Sequence, residues 1–353
     1  MDKARYKVHF GGPDRPAGAL RDLLFQRLAD TPAGGSVDWV TYYFRDRPLA
    51  RELVQAARRG VRVTLVLEDR PRIAWANDAV KDVLSGRDGL GKRLRLLRLP
   101  GVPAPRGLAW KPQVHEKLFA FSHPRPTAFI GSFNPSGDFP EEAPEILPKI
   151  GDHNIAHNAL VEAADPEMVA LITGHIRQLH RDGSSLLYRF RPGAGKDADL
   201  GHSRIVFWPR LGGHPVERLL REYGGEGRIR IAASHIRHAG AVRRLVALAR
   251  SGASVEVISE HTARRVPART ERRLTAAGVA FRRLGAEQDV PMHLKFVLLE
   301  HNSKRQAAFG SFNWTRPSYF LNHEVAVITS DRDVYTAFDA RWHDLQAMSE
   351  GRS

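Results

Sequence analysis

Residues 292–324, MHLKFVLLEHNSKRQAAFGSFNWTRPSYFLNHE, contain the pattern that decides the fold. His293 and Lys295 lie two residues apart, and on a β-strand this spacing places both side chains on one face. The apolar run 296–299 predicts that the strand continues into a core. Because burying an unpaired ammonium group costs several kcal/mol, we expect an anion to bind these two side chains.

The same pattern occurs a second time, nearer to the N-terminus. His115 and Lys117 again lie two residues apart before an apolar run, and the tetrapeptide Gly-Ser-Phe-Asn occurs at 131–134 as well as at 310–313. A single His-x-Lys occurs often by chance, whereas two copies followed by the same tetrapeptide at nearly the same distance do not. The chain is therefore predicted to contain an internal duplication.

The sequence around the motifs is duplicated too. A helix, a glycine and a β-rich run at 49–67 recur at 241–259, with a constant offset of 192 residues. In each copy an apolar strand precedes the helix and another follows it, which predicts a βαβ unit with a parallel strand pair. The first copy has 14 extra residues between Glu68 and His115, and the polar, basic segment 70–99 is predicted to hold them on the surface.

The composition favours partners that carry phosphate. The 353 residues include 54 Lys and Arg against 39 Asp and Glu, a formal net charge of +15. This excess does not distinguish lipid from nucleic acid, because both carry phosphate. The absence of cysteine excludes disulfides, thiolate metal sites and a cysteine nucleophile.

The sequence shows no targeting or membrane-spanning segment. No apolar run has the form of a signal peptide or the ~18 residues of a membrane span. The protein is therefore expected to be cytoplasmic, with peripheral contact to a membrane left open. Residues 1–190 are predicted to form the first repeat and residues 204–353 the second, joined by the Gly-, Pro- and Asp-rich linker 191–203.

The two His-x-Lys motifs, each followed by Gly-Ser-Phe-Asn, resemble those of the phospholipase D superfamily, whose members carry one such motif in each half. The resemblance covers nearly the whole chain. It implies an α/β fold in which two pseudo-symmetric phospholipase D-like repeats form one α-β-α sandwich with a mixed sheet. It also implies one cleft that holds both motifs, and cleavage or exchange of a phosphodiester with no metal and no cofactor. A second copy of the chain is not required for such a site.

The resemblance assigns roles to the motif residues. His115 is expected to attack phosphorus and form a phosphohistidine, and His293 to protonate the leaving oxygen. The reverse assignment stays open, because Glu324 would activate His293 as a base equally well. The lysines are expected to neutralise phosphate oxygens, the asparagines and serines to donate hydrogen bonds, and the glycines to let the phosphate approach the backbone. These residues are Lys117, Lys295, Asn134, Asn313, Ser132, Ser311, Gly131 and Gly310.

The sequence departs from the superfamily pattern in two places. Where the superfamily usually has an aspartate five residues after the lysine, this chain has Ser122 and Glu300, and only Glu300 can make the usual ion pair. A carboxylate downstream of each asparagine, which orients a histidine, is represented by Glu324 in the second half. In the first half Asn154 is predicted at this place, with Asp152 as the other candidate for steadying the histidine.

Two enzymatic interpretations stay open. Residues 316–324 resemble the bacterial cardiolipin synthase branch, which implies a phospholipase or phosphatidyltransferase acting on an anionic phospholipid. Residues 310–315, GSFNWT, are similar to small endonucleases of the superfamily, which implies nucleic acid as the substrate. Those endonucleases generally carry one motif per chain and dimerise, so the two motifs here favour lipid. A non-catalytic phosphate-binding protein is the third alternative, and hydrolysis is not distinguished from transfer.

Most of the other aromatic residues and histidines are predicted to lie in the core or on the surface, outside the site. Most aromatic side chains are predicted to pack in the core, while Tyr319 and Phe320 are candidates for the rim of the site. Five histidines are predicted to lie on the surface: His9, His175, His180, His202 and His214.

Overall fold

The computed structural model describes most of the chain, namely residues 5–103, 109–137, 142–183, 197–209, 214–223, 226–284 and 290–350. The chain divides into two compact units, residues 1–194 and 195–353. Residues 191–196 of the predicted linker lie outside the described part. Later in that segment, residues 198 and 199 belong to a strand, so the segment is not an irregular connection throughout.

The first unit is built on one seven-stranded sheet. The strands of this unit, which include two outside that sheet, are β1 (Tyr6–Gly11), β2 (Ser36–Thr41), β3 (Arg62–Glu68), β4 (Leu94–Leu97), β5 (Val102–Pro103), β6 (Ala109–Trp110), β7 (Leu118–Phe121), β8 (Thr127–Gly131) and β9 (Asn158–Ala163). The sheet has the order β1-β9-β8-β7-β2-β3-β4, and β5 pairs with β6 separately. The helices are α1 (Ala19–Ala29), α2 (Arg47–Arg58), α3 (Asp78–Ser85), α4 (Leu147–Ile150) and α5 (Pro166–Asp182).

The second unit is built on an eight-stranded sheet. Its strands are β10 (Ala198–Asp199), β11 (Ser203–Trp208), β12 (Arg228–Ala233), β13 (Ser254–Glu260), β14 (Ala280–Leu284), β15 (Lys295–His301), β16 (Lys304–Gly310) and β17 (Glu324–Thr329). The order is β10-β11-β17-β16-β15-β12-β13-β14. The helices are α6 (Pro215–Glu222), α7 (Ala239–Arg250), α8 (Ala268–Thr275), α9 (Arg316–Phe320) and α10 (Arg332–Glu350).

The two sheets have the same topology, apart from the short strand β10 at one edge of the second. In each, three strands run parallel, β2-β3-β4 and β12-β13-β14. The strand that follows the His-x-Lys motif, β7 or β15, pairs antiparallel with the first of these three. The predicted α/β fold with two repeats and parallel βαβ units is therefore confirmed, and each repeat has a mixed sheet of its own.

The helix of each βαβ unit begins and ends on residues suited to those places. Asp46 caps α2, since its Oδ1 accepts a hydrogen bond from Leu49 N at 2.8 Å. The glycines that follow α2 and α7, Gly60 and Gly252, have φ values of 94° and 100°, in the left-handed region that favours glycine. Between these ends α2 buries an apolar face that includes Leu53. α2 begins at Arg47, two residues before its predicted start at residue 49.

The extra residues of the first repeat lie in two places. The connection between β3 and β4 has 25 residues, six more than the 19 between β13 and β14. From β4 to His115 there are 17 residues, nine more than the eight between β14 and His293. The prediction that segment 70–99 holds the whole insertion is therefore wrong, because the greater part of the difference follows β4.

Both His-x-Lys motifs lie where the chain enters a strand. β7 begins after Lys117 and β15 begins at Lys295, so both histidines precede the strand. The prediction of a strand that includes His293 is therefore wrong at its start. The apolar run 296–299 is buried inside the sheet as predicted.

Candidate active site

In the first unit, His115 and Lys117 are buried at the entry to β7, with 8% and 0% of their surface exposed. Lys117 Nζ donates a hydrogen bond to the carbonyl oxygen of His115 at 2.5 Å and lies 5.3 Å from the centre of the Tyr42 ring. The same ring contacts the imidazole of His115, with 4.9 Å between centroids. Tyr42 therefore packs against both side chains, a role that was not evident from the sequence.

The second unit repeats this arrangement around His293 and Lys295. Both residues are buried, at 6% and 4% exposure. Lys295 Nζ donates to the carbonyl oxygen of His293 at 2.8 Å. In each unit, one of the three ammonium donors is thus bound to the backbone of the histidine two residues earlier, which fixes the positive charge beside that histidine.

A buried glutamate anchors the residue before each histidine. Glu68, the last residue of β3, accepts a hydrogen bond from Val114 N at 2.7 Å, and Glu260, the last residue of β13, accepts one from Met292 N at 2.8 Å. Burial raises the pKa of Glu68 to about 7, against the opposing effect of the backbone hydrogen bonds that the carboxylate accepts. The correspondence of the two glutamates was visible in the sequence, but their contact with the motif was not.

Gly131 and Gly310 are required by the neighbouring strand. A Cβ on Gly131 would lie 2.0 Å from the carbonyl oxygen of Ala159, and a Cβ on Gly310 would lie 2.1 Å from that of Val325. No side chain fits at such distances. The close approach that these glycines permit in this structure is that of β9 and β17. That they also let a phosphate approach the backbone stays a prediction.

Ser132 and Ser311 bind the first residue of the next strand. Ser132 Oγ donates to Asn158 Oδ1 at 2.9 Å, and Ser311 Oγ donates to Glu324 Oε2 at 2.5 Å. Each oxygen also accepts a backbone hydrogen bond, at 3.0 Å and 3.1 Å. Because a hydroxyl group has one proton to donate, each serine here gives its proton to the neighbouring strand. That the serines donate to a phosphate stays a prediction.

Asn158 corresponds to Glu324, and the predicted Asn154 does not. In the strand pairing, the residue opposite the motif glycine lies two residues after Asn158 in the first unit and two residues after Glu324 in the second. Asn154 instead donates through Nδ2 to the carbonyl oxygen of Gly137 at 3.3 Å. The correspondence was not evident from the sequences of the two repeats, because their spacing differs. The first repeat has 23 residues between Asn134 and β9, whereas the second has 10 between Asn313 and β17.

Asp152 supplies the carboxylate that Asn158 lacks. Asp152 is fully buried, and its oxygens accept hydrogen bonds from Asn158 Nδ2 at 2.7 Å and Asn134 Nδ2 at 2.6 Å. In the second unit Glu324 carries the charge itself and also accepts from Ser318 Oγ at 2.8 Å. Each unit therefore has one buried carboxylate bound to its Gly-Ser-Phe-Asn turn or to the strand beside it. That Glu324 orients a histidine stays a prediction.

The two motif asparagines are held differently. The amide of Asn134 is held at both ends, because Oδ1 accepts from Tyr43 N at 3.3 Å while Nδ2 donates to Asp152. Asn313 is held by its backbone, whose N–H donates to Ser318 Oγ at 2.9 Å. Asn313 Oδ1 is buried and has no hydrogen-bond partner among the described residues. The role of both asparagines as phosphate donors stays a prediction.

Glu300 makes the predicted ion pair, but away from the motif. Its carboxylate lies 2.5 Å from Arg230 Nη2 and accepts from the Tyr335 hydroxyl at 2.5 Å. Glu300 lies five residues after the motif lysine in β15, a distance of ~16 Å along a strand. Ser122, at the matching place in the first unit, accepts a backbone hydrogen bond through Oγ at 2.7 Å. Both residues therefore support the fold.

Two histidines that were predicted for the surface are buried. His175 Nε2 lies 3.0 and 2.8 Å from the two carboxylate oxygens of Glu116, the buried residue between the motif histidine and lysine. His214 stacks on Tyr319 with 3.9 Å between ring centroids and an 18° angle. Burial lowers the pKa of His214 to about 3. Of the two rim candidates, Tyr319 is buried and Phe320 is 48% exposed.

Neither a metal-binding cluster nor a membrane-spanning helix occurs in the described part of the chain. No three His, Asp or Glu side chains of that part come together in a way that would hold a metal ion. None of its helices combines the length and the apolar character needed to cross a bilayer.

Known proteins share this architecture. A family model described as cardiolipin synthase, PLD-like domain, matches residues 30–164 and 225–345. This chain belongs to the phospholipase D superfamily. The two matched segments contain the two sets of superfamily motifs, one in each repeat. No curated protein sequence matches the chain.

Two solved structures share the superfamily fold across nearly the whole chain. Phosphatidylserine synthase from Haemophilus influenzae Rd KW20 is 12% identical, with a TM-score of 0.65, and the match covers 98% of this chain and 86% of that one. Polyphosphate kinase from Porphyromonas gingivalis is 14% identical, with a TM-score of 0.62, over 97% of this chain. The chain spans 50% of the length of that kinase. At these identities the likeness shows the fold alone.

Proposed function

We propose that this chain is a metal-independent phosphodiesterase or phosphatidyltransferase that acts on phospholipids through a phosphohistidine. The observation that carries the proposal is the buried histidine whose own carbonyl holds a buried lysine ammonium group, present once in each repeat. Membership of the phospholipase D superfamily supports action on a phosphodiester. A buried histidine beside a fixed positive charge is suited to nucleophilic or acid–base work at an anionic group.

In the first step, an imidazole nitrogen of His115 attacks phosphorus, and the bond from phosphorus to the leaving alcohol oxygen breaks. His293 gives its proton to that oxygen, so that a neutral alcohol leaves and the phosphatidyl group is bound to His115. Lys117 and Lys295 neutralise the oxygens on which negative charge develops. The mechanism requires a neutral His115 and a protonated His293 at the start of the cycle.

In the second step, water or an acceptor alcohol attacks the same phosphorus. The now neutral His293 takes the proton of the attacking hydroxyl, and the bond between phosphorus and His115 breaks. Water yields phosphatidate, whereas an alcohol yields a new phosphodiester. Both steps together return the two histidines to their starting protonation states, so the cycle consumes no further reactant.

The two repeats differ in the origin of the carboxylate beside the motif turn. In the second repeat the buried carboxylate is that of Glu324, the first residue of β17. In the first repeat it is that of Asp152, which lies in the loop before β9. Two imidazoles can act as nucleophile and acid only if their surroundings separate their proton affinities. A trapped phosphohistidine that mass spectrometry maps to His293 would reverse our assignment.

A phospholipid substrate is supported by the family description and by a surface feature of the first unit. Trp75 is 47% exposed, and Lys149 Nζ lies 5.8 Å from the centre of its ring. Tryptophan rings and basic side chains favour the surface of an anionic membrane. The next residue, Ala76, packs in one cluster with Tyr42, which contacts His115. The exposed Trp75 thus adjoins a residue of the packing cluster that also contains the ring in contact with His115.

The proposal is tested by incubating the protein in EDTA with four substrates and following the products. The substrates are phosphatidylglycerol vesicles, phosphatidylcholine vesicles with an alcohol acceptor, single-stranded DNA and double-stranded DNA. His115→Ala and His293→Ala are expected to abolish turnover. His202→Ala, an exposed histidine outside the motifs, serves as the matched control and is expected to retain it.

Lipid product that survives chelation and disappears in both motif variants supports the proposal. Cleavage of DNA without lipid turnover would assign the chain to the nucleases. The net charge of +15 favours nucleic acid and anionic lipid equally as substrates. Binding of phospholipid vesicles without turnover of any substrate would leave a non-catalytic phosphate-binding protein.

A further inference from the structure

A cavity of about 910 Å³ lies in the second unit, away from the motif residues. It is formed by the turn between β15 and β16 together with the start of α10. His301, at its edge, is the last residue of β15, whereas Lys295 is the first, so ~20 Å of strand separates the cavity from the motif lysine. A volume of this size suits a small-molecule ligand.

The cavity carries positive charge without a matching negative charge. Lys304, Arg305 and Arg332 line it, and no carboxylate is among the described residues that do so. None of the three cations forms an ion pair with another described residue. By contrast, two other arginines of the same unit, Arg228 and Arg283, are paired with glutamates at 2.9 and 2.6 Å.

Two of the carboxylates nearest in sequence are already engaged. Glu300 stands opposite Arg305 in the strand pairing, but its carboxylate binds Arg230 and the Tyr335 hydroxyl. Asp331, beside Arg332, caps α10 by accepting two backbone hydrogen bonds of 3.0 Å. Neither of these two carboxylates therefore offsets the positive charge of the cavity.

Contacts between side chains hold parts of the cavity wall in place. The guanidinium of Arg305 lies 5.8 Å from the centre of the Tyr335 ring, and that ring is fixed through its hydroxyl. Tyr223 donates to Gln306 Oε1 at 2.6 Å, which directs the amide nitrogen of Gln306 to act as a donor. Asn302, with φ of 53°, adopts the left-handed conformation that asparagine tolerates in a tight turn. This turn places Lys304 opposite His301.

The first repeat has less positive charge at the corresponding places. Where α10 begins with Arg332 and Asp333, α5 begins with Pro166 and Glu167. The connection between β7 and β8 contains one cation, Arg125, whereas the hairpin of β15 and β16 contains two, Lys304 and Arg305. The set of three cations is therefore particular to the second repeat.

We propose that this cavity binds a compact polyanion that carries two or more phosphate groups, such as an oligophosphate or a nucleoside triphosphate. Three side-chain cations exceed the charge of one phosphate, and the neutral donors of the cavity, which include Ser303 and Gln306, complete the hydrogen bonding of several phosphate oxygens. The proposal does not rest on the phosphodiester activity, because binding at the cavity requires no turnover.

The test is a calorimetric titration of the whole chain with inorganic tripolyphosphate at low ionic strength, with inorganic phosphate and a short single-stranded DNA as comparison ligands. The variant Lys304→Gln with Arg305→Gln removes two charges from the hairpin, and Arg332→Gln removes one from the helix. The control is Arg125→Gln with Lys92→Gln, which removes the same charge from the surface of the first unit. All these side chains are at least partly exposed, so folding should be retained.

Tripolyphosphate is expected to bind more tightly than phosphate, and at least tenfold more weakly to the hairpin variant while the control variant binds as the wild type does. Arg332→Gln should weaken binding in the same direction. Unchanged affinity in both cavity variants, or an equal loss in the control, would overturn the proposal. DNA that binds more tightly than tripolyphosphate and loses affinity in the same variants would also overturn it, by showing that the cavity contacts a nucleic acid.

Discussion

Asp152 and Asn158 of the first repeat share a hydrogen bond of 2.7 Å, and together they take the place that Glu324 occupies alone in the second repeat. Asn158 begins β9 and accepts the serine hydroxyl, as Glu324 does at the start of β17. The negative charge, however, comes from Asp152, six residues earlier. The first repeat thus keeps a buried carboxylate beside its motif despite having an amide at the strand.

This relationship predicts that the charge can be moved between the two positions. Asp152→Asn removes a charged acceptor from the amides of Asn134 and Asn158, which should lower the free energy of unfolding by about 3 kcal/mol. Asn158→Asp alone places two carboxylates within hydrogen-bonding distance and should destabilise the protein by a similar amount. The double variant restores one carboxylate and one amide, so it should recover more than half of the loss.

A double-mutant cycle in urea measures this coupling. Asn154→Ala, which changes the residue that the sequence comparison pointed to, should have the smaller effect. Strictly additive losses in the double variant would show that the two side chains do not exchange roles.

The two motif glycines should tolerate no side chain. Gly131→Ala and Gly310→Ala each place a Cβ about 2 Å from a carbonyl oxygen of the neighbouring strand, which requires the strands to separate. Both variants should lose several kcal/mol of unfolding free energy or fail to fold. Gly174→Ala is the control, because nothing lies within 4 Å of its Cβ on α5 and the change should stabilise the helix by ~0.5–1 kcal/mol. Melting temperatures decide the matter, and a stable Gly131→Ala variant would contradict the strand contact.

Stability should depend on pH through Glu68. Burial raises its pKa from 4.5 to about 7, so between these values the folded protein keeps a proton that the unfolded chain has released. The contribution of Glu68 to stability is therefore present below pH 4.5 and falls as the pH rises towards 7, by ~3 kcal/mol in total. Glu68→Gln cannot titrate, so the difference in unfolding free energy between wild type and variant should shrink or change sign between pH 4.5 and pH 8. Parallel profiles for the two proteins would argue against the raised pKa.

If the substrate is a phospholipid at a membrane surface, Trp75 should matter only when that surface is present. Trp75→Ala should lower turnover of phosphatidylglycerol vesicles roughly tenfold, the effect of ~1.4 kcal/mol of lost interfacial binding. Turnover of a soluble short-chain phospholipid should change little. Trp75→Phe, which keeps an aromatic ring, should retain more of the vesicle activity. An equal loss on both substrates would assign Trp75 to the local packing instead.

The duplication and its main elements could be predicted from local patterns. The offset of 192 residues located the helix and strand of both βαβ units, and the paired motifs located His115 and His293 at matching places in the two sheets. Hydrophobic periodicity and stop signals such as Gly60 act within a few residues, so they are readable without the fold. The burial of His175 was not, because it depends on Glu116, 59 residues away in sequence.

The surroundings of the motifs were decided by tertiary structure. Insertions of different length hid the correspondence of Asn158 with Glu324, which appeared only when the strand pairing was known. The same pairing showed that Ser132 and Ser311 contact the neighbouring strand, and it explained the glycines before them. The sequence by itself determined which chemical groups occur and that they occur twice. Only the register of neighbouring strands decided which donor meets which acceptor, because a hydrogen bond depends on distances that residue spacing along the chain does not specify.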